Sequence, residues 1–405
     1  MKPYRSLLFL ACLLWAVLAS HAAAQTTAAV APTRVDNDAN TRKGFEEFYN
    51  LEYDRAIREF EAAFQAHPND PFAANHLLSA VIFKELYRIG ALDTEAYAAD
   101  SFLTKKLQAP LDPATRDRVK QLTDQALALE QAQLDKDPNN VDALYARGAT
   151  RALNATYIGI ANKAWFAALR SAVAARHDNE RVLQLDPKYV DAKVVVGTHL
   201  YIVGSLSWPV KVAASVAGLS GNKQKGLDYL RQATHSPHPE VANDAKIVLA
   251  LFLRREEKYA EALQVVNSLQ TDFSHNFLMA AEYAHLLNAA GHGQEAIAAY
   301  RRVIAGCRSG SYNQCRIDIP EYGLGEALRG QRDYAGAAEA YELSASSGND
   351  PDLRQRATLA AGQMYDLMKK RDTAVEKYKA VIAENSASNS AELARHYMKQ
   401  AYNNQ

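Results

Sequence analysis

The C-terminal part of the chain repeats one pattern of small residues. A small residue is followed twelve positions later by an alanine, and this happens four times, at Ala250/Ala262, Ala284/Ala296, Gly325/Ala337 and Gly362/Ala374. The alanines are 34, 41 and 37 residues apart, and the last three are each followed after four residues by Tyr300, Tyr341 and Tyr378. A period close to 34 predicts stacked helix–turn–helix units, because one such unit cannot bury its apolar face alone.

With these marks the chain resembles the tetratricopeptide repeat family, whose unit is a helix hairpin. The resemblance extends over nearly all of Thr41 to Tyr402. It implies an all-α, right-handed α-solenoid of about eight helix hairpins and a capping helix. The small residues are expected where the two helices of a hairpin cross, and the aromatic residue is expected to fill the gap to the next hairpin. A first repeat at the same offsets is predicted from Gly44, Tyr53, Ala56, Phe60, Ala63 and Pro68.

The hairpins of the N-terminal half are predicted to be elongated. Gly148 and Ala175, which hold the two small positions of one hairpin, are 27 residues apart instead of 12, and Gly197 and Gly226 are 29 apart. The extra residues lengthen each helix by roughly two turns, at about 1.5 Å per residue. We therefore predict long helix pairs over 41–235, a regular array over 236–386, and a capping helix with a tail over 387–405.

A central segment is similar to a narrower group, the tetratricopeptide proteins named for inclusion-body clearance. That group has the pattern Pro-x-x-x-Lys, then Gly-x-x-Gly, then Gly-Leu-x-x-Leu. The matching residues are Pro209, Lys211, Gly218, Gly221, Gly226, Leu227 and Leu230. The similarity covers about 26 residues, and it implies architecture rather than an activity.

The first 24 residues have the organisation of a secretory signal peptide. Lys2 and Arg5 precede an apolar run, Leu7 to Ala19, which is too short to span a bilayer. Residues 25–40 are rich in Ala and Thr and predict a flexible leader. We expect cleavage near Ala24 and export, to a bacterial periplasm or as a secreted protein. Lipoprotein processing at Cys12 is the alternative.

Two cysteines, Cys307 and Cys315, lie close together in a loop rich in Gly and Ser. In an exported protein such a pair predicts a disulfide, and two free thiols are the alternative. The loop also accounts for the wide spacing between Ala296 and Ala337, because it inserts seven residues between two repeats.

Charge and motif content argue against several classes of function. Lys+Arg and Asp+Glu both number 46, so no net charge favours nucleic acid. The sequence has no nucleophile elbow, zinc-protease, Walker or dinucleotide-binding motif. His235 and His238 in HSPHP lack a third ligand for a metal, and a solvated linker is the alternative. We therefore predict no catalytic residues, no metal and no cofactor, and a protein that is not an enzyme.

The predicted partner-binding surface is the concave face, which in tetratricopeptide arrays is lined by the first helix of each hairpin. The repeat phase projects seven polar residues onto this face: Arg254, His285, Asn288, Glu326, Arg329, Gln363 and Asp366. Polar side chains beside small residues suit an extended peptide or a helix, through hydrogen bonds and charge pairs. An inner face that is only solvated is the alternative.

Residues 194–221 form an apolar stretch in which only His199 and Lys211 can carry a charge. One interpretation is a hairpin that contacts a membrane or an apolar ligand, with Trp208 at its tip. The other is a repeat buried between two longer neighbours. Pro209 and Lys211 divide the stretch into pieces shorter than the roughly 20 residues of a membrane span.

Together these features predict an exported, non-catalytic scaffold that binds another protein or a peptide of the cell envelope through its concave groove. The alternative is a module that binds lipid or a membrane surface through residues 194–221. The sequence specifies neither the partner nor the oligomeric state.

Overall fold

The computed structural model describes residues 38–92, 110–206, 211 and 220–403 of the chain. Within these ranges every regular element is an α-helix. The helices are α1 (Ala39–Tyr49), α2 (Tyr53–Ala66), α3 (Pro71–Arg88), α4 (Pro113–Leu134), α5 (Val141–Ile160), α6 (Trp165–Leu185), α7 (Ala192–Gly204), α8 (Lys223–Ala233), α9 (Pro239–Arg255), α10 (Tyr259–Asp272), α11 (Phe277–Ala289), α12 (Gly293–Ser309), α13 (Asp318–Gly330), α14 (Tyr334–Ser347), α15 (Pro351–Leu367), α16 (Arg371–Glu384) and α17 (Asn389–Lys399). The signal peptide and the leader predicted for residues 1–40 lie almost wholly outside the described residues.

The first sixteen described helices follow one another as eight consecutive pairs, α1/α2 to α15/α16, and α17 comes last. The connections within α3/α4 and α7/α8 lie mostly outside the described residues. The predicted all-α solenoid of helix hairpins is therefore confirmed. Helices α3 to α6 have 18, 22, 20 and 21 residues, whereas α13 and α14 have 13 and 14. The predicted elongation is thus confirmed for the hairpin of Gly148 and Ala175. It is wrong for the hairpin of Gly197 and Gly226, whose helices α7 and α8 have only 13 and 11 residues, so the extra residues there lie between the two helices.

The described chain divides into two compact units. Unit 1 contains residues 38–48, 53–92, 110–206, 211 and 220–252, and unit 2 contains residues 49–52 and 253–403. The division between Phe252 and Leu253 falls inside α9. The boundaries predicted from the sequence at 235/236 and 386/387 remain predictions.

Four helix–helix turns of unit 2 share one conformation. Five positions before each buried alanine of the repeat, the backbone has a positive φ, at Glu257 (55°), Gly291 (85°), Arg332 (62°) and Lys369 (61°). The residue after each donates its N–H to the carbonyl oxygen five positions earlier, over 2.9–3.0 Å. This is the Schellman arrangement, in which a left-handed residue closes a helix. Gly291 adopts it without steric cost, whereas the other three side chains are strained there.

Close helix crossings explain the small residues of the repeat. A Cβ atom built on Gly325 would lie 2.5 Å from Cε1 of Tyr341, so only hydrogen fits between α13 and the ring. Tyr341 also shares a buried cluster with Ala357 of the next hairpin. The ring therefore closes the crossing inside its own hairpin as well as the gap to the next one. The sequence pattern predicted the second contact but not the first.

A disulfide joins Cys307, in the last turn of α12, to Cys315 in the following loop, with 5.6 Å between their Cα atoms. The predicted pairing is confirmed. Beside it, the guanidinium of Arg316 lies 2.7 Å from Asp318 and 3.4 Å from Asp350. Since both carboxylates are buried, the disulfide and the ion pairs together hold the inserted loop against α13 and the start of α15.

Unit 1 contains a buried carboxyl group, that of Glu130 in α4. Its Oε1 lies 2.5 Å from Thr150 Oγ1, which lies 2.6 Å from Asn75 Oδ1, and Asn75 donates to the carbonyl oxygen of Ala146 over 3.0 Å. The Thr150 hydroxyl also lies 3.2 Å from the carbonyl oxygen of Ala146. Since a hydroxyl has one proton, it can donate to only one of these three acceptors, and a protonated Glu130 could itself donate to Thr150. Burial raises the pKa of Glu130 to about 8, which favours that protonated form.

Candidate functional site

The first helices of the unit 2 hairpins form its inner side. Helix α11 contacts α13, α13 contacts α15, and α15 contacts α17. Among the described residues, the backbones of consecutive second helices (α10, α12, α14 and α16) lie farther apart, although an ion pair between Lys377 and Glu342 links α16 to α14. The first helices are therefore closer together than the second helices, which favours the predicted concave surface along α11, α13 and α15. We call this surface the inner face.

The residues predicted for the concave face occupy two rows. One row lies one position after the small residue of each first helix, and the other lies four positions after it. The first row contains His285, Glu326 and Gln363. The second row contains Arg254, Asn288, Arg329 and Asp366. Positions three apart on a helix are neighbours on its surface, so the two rows run side by side along unit 2.

Arg254, at one end of the second row, is bonded within the protein. Arg254 is 8% exposed, and its Nη1 lies 3.0 and 3.2 Å from the carboxylate oxygens of Glu282 on α11. Truncating either partner would leave an uncompensated buried charge. The structure thus gives Arg254 a role within unit 2.

His285 is partly buried on α11 and carries no charge at neutral pH. Burial and then the positive charge of Arg254 lower the pKa of His285 to about 3. A neutral imidazole both donates and accepts a hydrogen bond, and it does not attract an anion. His285 therefore adds a polar group but no charge to the inner face.

Asn288 on α11 and Gln363 on α15 are the two amides of the inner face, and both are partly buried. Within the described residues, neither amide has a hydrogen-bond partner among the protein's own groups. Buried polar groups in proteins are almost always bonded, so a partly buried amide without an internal partner is left for water or a ligand. An amide has both a donor and an acceptor, which match the C=O and N–H of an extended peptide backbone. These two residues are the best candidates for ligand contact.

Between them, Glu326 and Arg329 form an ion pair on α13. The Arg329 Nη2 atom lies 2.7 Å from Glu326 Oε2, and the hydroxyl of Tyr341 donates to Glu326 Oε1 over 2.6 Å. The carboxylate is therefore fixed from two sides, and it in turn orients the arginine. About a third of the Arg329 side chain is exposed and can still meet a ligand.

Asp366 is the most completely bonded residue of the predicted set. Its side chain is 1% exposed. Its Oδ2 accepts from the hydroxyl of Tyr378 (2.8 Å) and from the backbone N–H of Tyr402 (2.8 Å), and both oxygens accept from Arg371 Nη1 at 2.9 and 3.0 Å. An extended segment of this same chain thus reaches the inner face at Asp366.

The sequence pattern did not point to Tyr402, Tyr397 or Arg371 as part of this surface. The segment AELARHYMKQAY was predicted only to be a capping helix. The contact between Tyr402 and Asp366 spans 36 positions and involves a backbone N–H. Because every residue except proline has that donor, no side-chain pattern could have revealed it.

Trp208, the candidate membrane contact, lies outside the described residues, as does most of 207–219. Next to this segment, α7 (Ala192–Gly204) is mostly buried, but Ile202 at its end is 51% exposed. In the part of the chain that is described, no helix is both long and apolar enough to cross a bilayer. The membrane interpretation of 194–221 remains a prediction.

The histidines of HSPHP have other partners in the structure. His238 Nδ1 lies 2.7 Å from Asp191 Oδ2, and Ser236 donates to Asp191 Oδ1 over 2.6 Å. His235 Nδ1 lies 3.0 Å from the carbonyl oxygen of Arg231. Over the described ranges, no three His, Cys, Asp or Glu side chains are grouped to hold a metal ion.

Unit 2 also has an open depression of about 580 Å³ between α12, α13 and α14. Arg301 and Arg308 lie at its edge, and Leu324 and Leu343 form part of its apolar floor. Leu343 is 39% exposed. No residue of this depression was among those predicted from the sequence, which considered only the concave face.

The hairpins, their glycine–aromatic crossings and their recurrent turns define a tetratricopeptide-type α-solenoid. No family model matches the sequence, and no curated protein does so either. The resemblance of residues 208–233 to the inclusion-body-clearance group stays a prediction.

Three solved structures show weak likenesses to the chain. They are yeast Tom70 (13% identity, 89% of this chain and 94% of that chain, TM-score 0.42), a tetratricopeptide repeat protein from Parabacteroides merdae ATCC 43184 (12%, 80% and 98%, 0.34) and the APC/C hetero-tetramer Cut9-Hcn1 (15%, 89% and 75%, 0.37). With TM-scores this low the likenesses carry no argument about function, and the fold assignment rests on the hairpins of this chain.

Proposed function

We propose that the protein is a non-catalytic scaffold that binds an extended peptide segment of another protein on the inner face of unit 2. The observation that supports this most directly is the pair of amides, Asn288 and Gln363, which are partly buried and lack internal partners in the described chain. The ion pair of Glu326 and Arg329 lies between them. Two amides and one arginine on a preformed surface supply bonds to a peptide without the cost of ordering the site.

The test uses the double variant Asn288→Ala/Gln363→Ala. Removing two unpaired amides breaks no internal hydrogen bond, so folding should not change. A bound peptide would lose roughly two hydrogen bonds, about 1–3 kcal/mol in total, which weakens binding about 5- to 150-fold. The readout is the affinity for peptides selected from a random library displayed on phage, measured by calorimetry. Unchanged affinity for all selected peptides would refute this location of the site.

The matched control is Glu339→Ala/Lys379→Ala. Both residues are exposed on second helices, α14 and α16, away from the inner face. This variant removes the same number of polar side chains from unit 2, and we expect it to bind like the wild type. Equal losses in both double variants would indicate a nonspecific effect of charge or stability rather than a groove.

We also propose that the protein is exported, with a cell-envelope protein as partner. The disulfide between Cys307 and Cys315 supports this proposal, because such bonds persist mainly in oxidising compartments. The test is expression in a bacterium followed by fractionation and N-terminal sequencing. We expect a periplasmic or secreted chain that begins at Gln25, and an intact N-terminus in the cytoplasm would overturn the proposal.

A further inference from the structure

The chain leaves its last described helix in an extended conformation. Gln400, which follows α17, has φ −132° and ψ 116°. Its N–H still bonds to the carbonyl oxygen of His396 over 3.0 Å, and the residues after it are not helical. We call residues 400–403 the tail segment. Its conformation is that of a peptide laid on a surface, rather than another repeat.

The tail segment is held at Asp366 through its backbone. The N–H of Tyr402 donates to Asp366 Oδ2 over 2.8 Å. Arg371 positions this carboxylate through its Nη1, and its Nη2 donates to the carbonyl oxygens of Tyr397 and Met398 over 2.7 and 2.8 Å. The acceptor is therefore oriented by bonds that do not involve the tail segment, and it stays in place if the segment leaves.

An aromatic contact accompanies the backbone bond. The ring of Tyr402 meets that of Tyr397 edge to face, with centroids 5.2 Å apart and planes at 83°. Tyr397 in turn lies 5.8 Å from Tyr378. Edge-to-face pairs of this kind are favourable beyond their buried area. The surface beside Asp366 thus accepts one backbone N–H and one aromatic side chain.

The place where the tail segment binds belongs to the proposed peptide surface. Asp366 holds the same register position as Asn288 and Arg329 on the preceding first helices. The pKa of Arg329 is raised: burial opposes the shift, but the negative charge of Glu326 and the phenol groups of Tyr341 and Tyr402 outweigh it. Tyr402 therefore contacts α15 at the register position that Arg329 holds on α13.

We propose that the tail segment is an intramolecular ligand of the inner face, and that this end of the face takes extended peptides with an aromatic residue, which displace the segment. The inference rests on the proposed function and adds to it a ligand class and a competitor. A tethered competitor acts at an effective concentration in the millimolar range, so it lowers the apparent affinity for every external peptide that needs Asp366.

The experiment compares the full chain with a chain that ends at Lys399. The probe is a fluorescein-labelled peptide of residues 398–405, MKQAYNNQ, and the readout is fluorescence anisotropy. We expect saturable binding to the shortened chain and at least tenfold weaker binding to the full chain. A full-length Tyr402→Ala variant should bind the probe more tightly than the wild type does. Thermal unfolding of each chain is the control that checks whether α17 and its neighbours remain folded.

Changes in the probe test the contacts without altering the protein. N-methylation of the tyrosine nitrogen removes the donor to Asp366, and we expect at least fivefold weaker binding. N-methylation at Asn403 is the matched control and should have no effect. No saturable binding to the shortened chain up to about 1 mM, or equal binding to both chains, would overturn the inference.

Library peptides separate this inference from the proposed function. Selected peptides that bind through Asn288 and Gln363 but do not compete with the tail peptide would leave the peptide scaffold standing and refute the intramolecular ligand. If no selected peptide depends on Asn288 and Gln363, the proposed function fails, whatever the tail peptide does.

Discussion

Tyr341 is held at both ends by neighbouring residues of α13. Its ring lies over Gly325, where a Cβ atom would come within 2.5 Å of Cε1, and its hydroxyl donates to Glu326 over 2.6 Å. One tyrosine thus enforces the close crossing of α13 and α14 and at the same time orients the carboxylate that pairs with Arg329. Packing and the candidate binding surface are connected through this side chain.

The first prediction concerns Gly325. Gly325→Ala places a methyl group inside the contact distance of the Tyr341 ring, which must move, and we expect a loss of about 1–3 kcal/mol in the free energy of unfolding. Urea denaturation followed by circular dichroism measures it. Gly330→Ala in the same helix is the control. Since a Cβ at Gly330 meets nothing within 4 Å, it should be neutral or stabilising. Equal losses of stability in the two variants would contradict the close contact between Gly325 and the Tyr341 ring.

The second prediction concerns the left-handed turns. Arg332 has φ 62° and is exposed. Arg332→Gly removes a strain of about 1–2 kcal/mol and adds an entropy cost of about 0.5–1 kcal/mol, so a net gain in stability of up to about 1.5 kcal/mol is expected. Gly291→Ala, at the equivalent turn with φ 85°, should destabilise by about 1–2 kcal/mol. Thermal and urea unfolding of the two variants should shift in opposite directions, and a shift in the same direction would contradict the prediction.

The third prediction concerns Glu130 and pH. Its pKa is raised by burial to about 8 in the folded chain, so the folded state binds more protons than the unfolded state between the ordinary carboxyl pKa and pH 8. The contribution of protonated Glu130 to the free energy of unfolding is complete at low pH. It is lost as the pH rises through that window, by at most about 1.4 kcal/mol per pH unit. Glu130→Gln keeps the shape without the charge and should flatten the decline.

Urea unfolding of the wild type and Glu130→Gln at several pH values measures this. The two proteins should have similar stability near pH 5, and the variant should be more stable at pH 8–9. Glu339→Gln, at an exposed position of α14, is the control and should follow the wild type. Parallel stability curves for Glu130→Gln and the wild type would show that Glu130 titrates at an ordinary pH.

The fourth prediction concerns the disulfide. Reducing the bond between Cys307 and Cys315, or replacing both with Ser, frees a short loop in the unfolded state. In the chain-entropy model this lowers stability by about 2–3 kcal/mol. Unfolding with and without a reducing agent checks it. The double serine variant should match the reduced wild type and should not respond to the reductant. Mass mapping that finds both thiols free in native protein would contradict the pairing.

The small residues of the repeat were sufficient to predict the fold. Ala262, Ala296, Ala337 and Ala374 are all fully buried, because helices that cross this closely leave no room for a larger side chain. Their spacing therefore reports helix crossings directly. The same reasoning could not reveal the left-handed turns. Of the four turn residues only Gly291 is of a type that favours a positive φ.

The candidate site was predictable in position but not in bonding. Asn288 and Asp366 occupy equivalent places in the repeat, and the register predicts both to face the concave side. Asn288 has no side-chain partner in the described chain, whereas Asp366 is saturated by groups 5, 12 and 36 positions away. Partners at such separations depend on tertiary packing, which a repeat register does not contain.

The unequal contacts of the two helix layers in unit 2 have a mechanical consequence. Because α11, α13, α15 and α17 touch in succession whereas the backbones of the second helices lie farther apart, we expect the stack to resist compression more along its first helices than along its second helices. Its neutral axis lies along the first helices. Bending then changes the spacing of the outer helices at little cost, while the pitch between Asn288, Arg329 and Asp366 stays nearly constant. We expect the array to bend and still present its bonding groups at a nearly fixed interval.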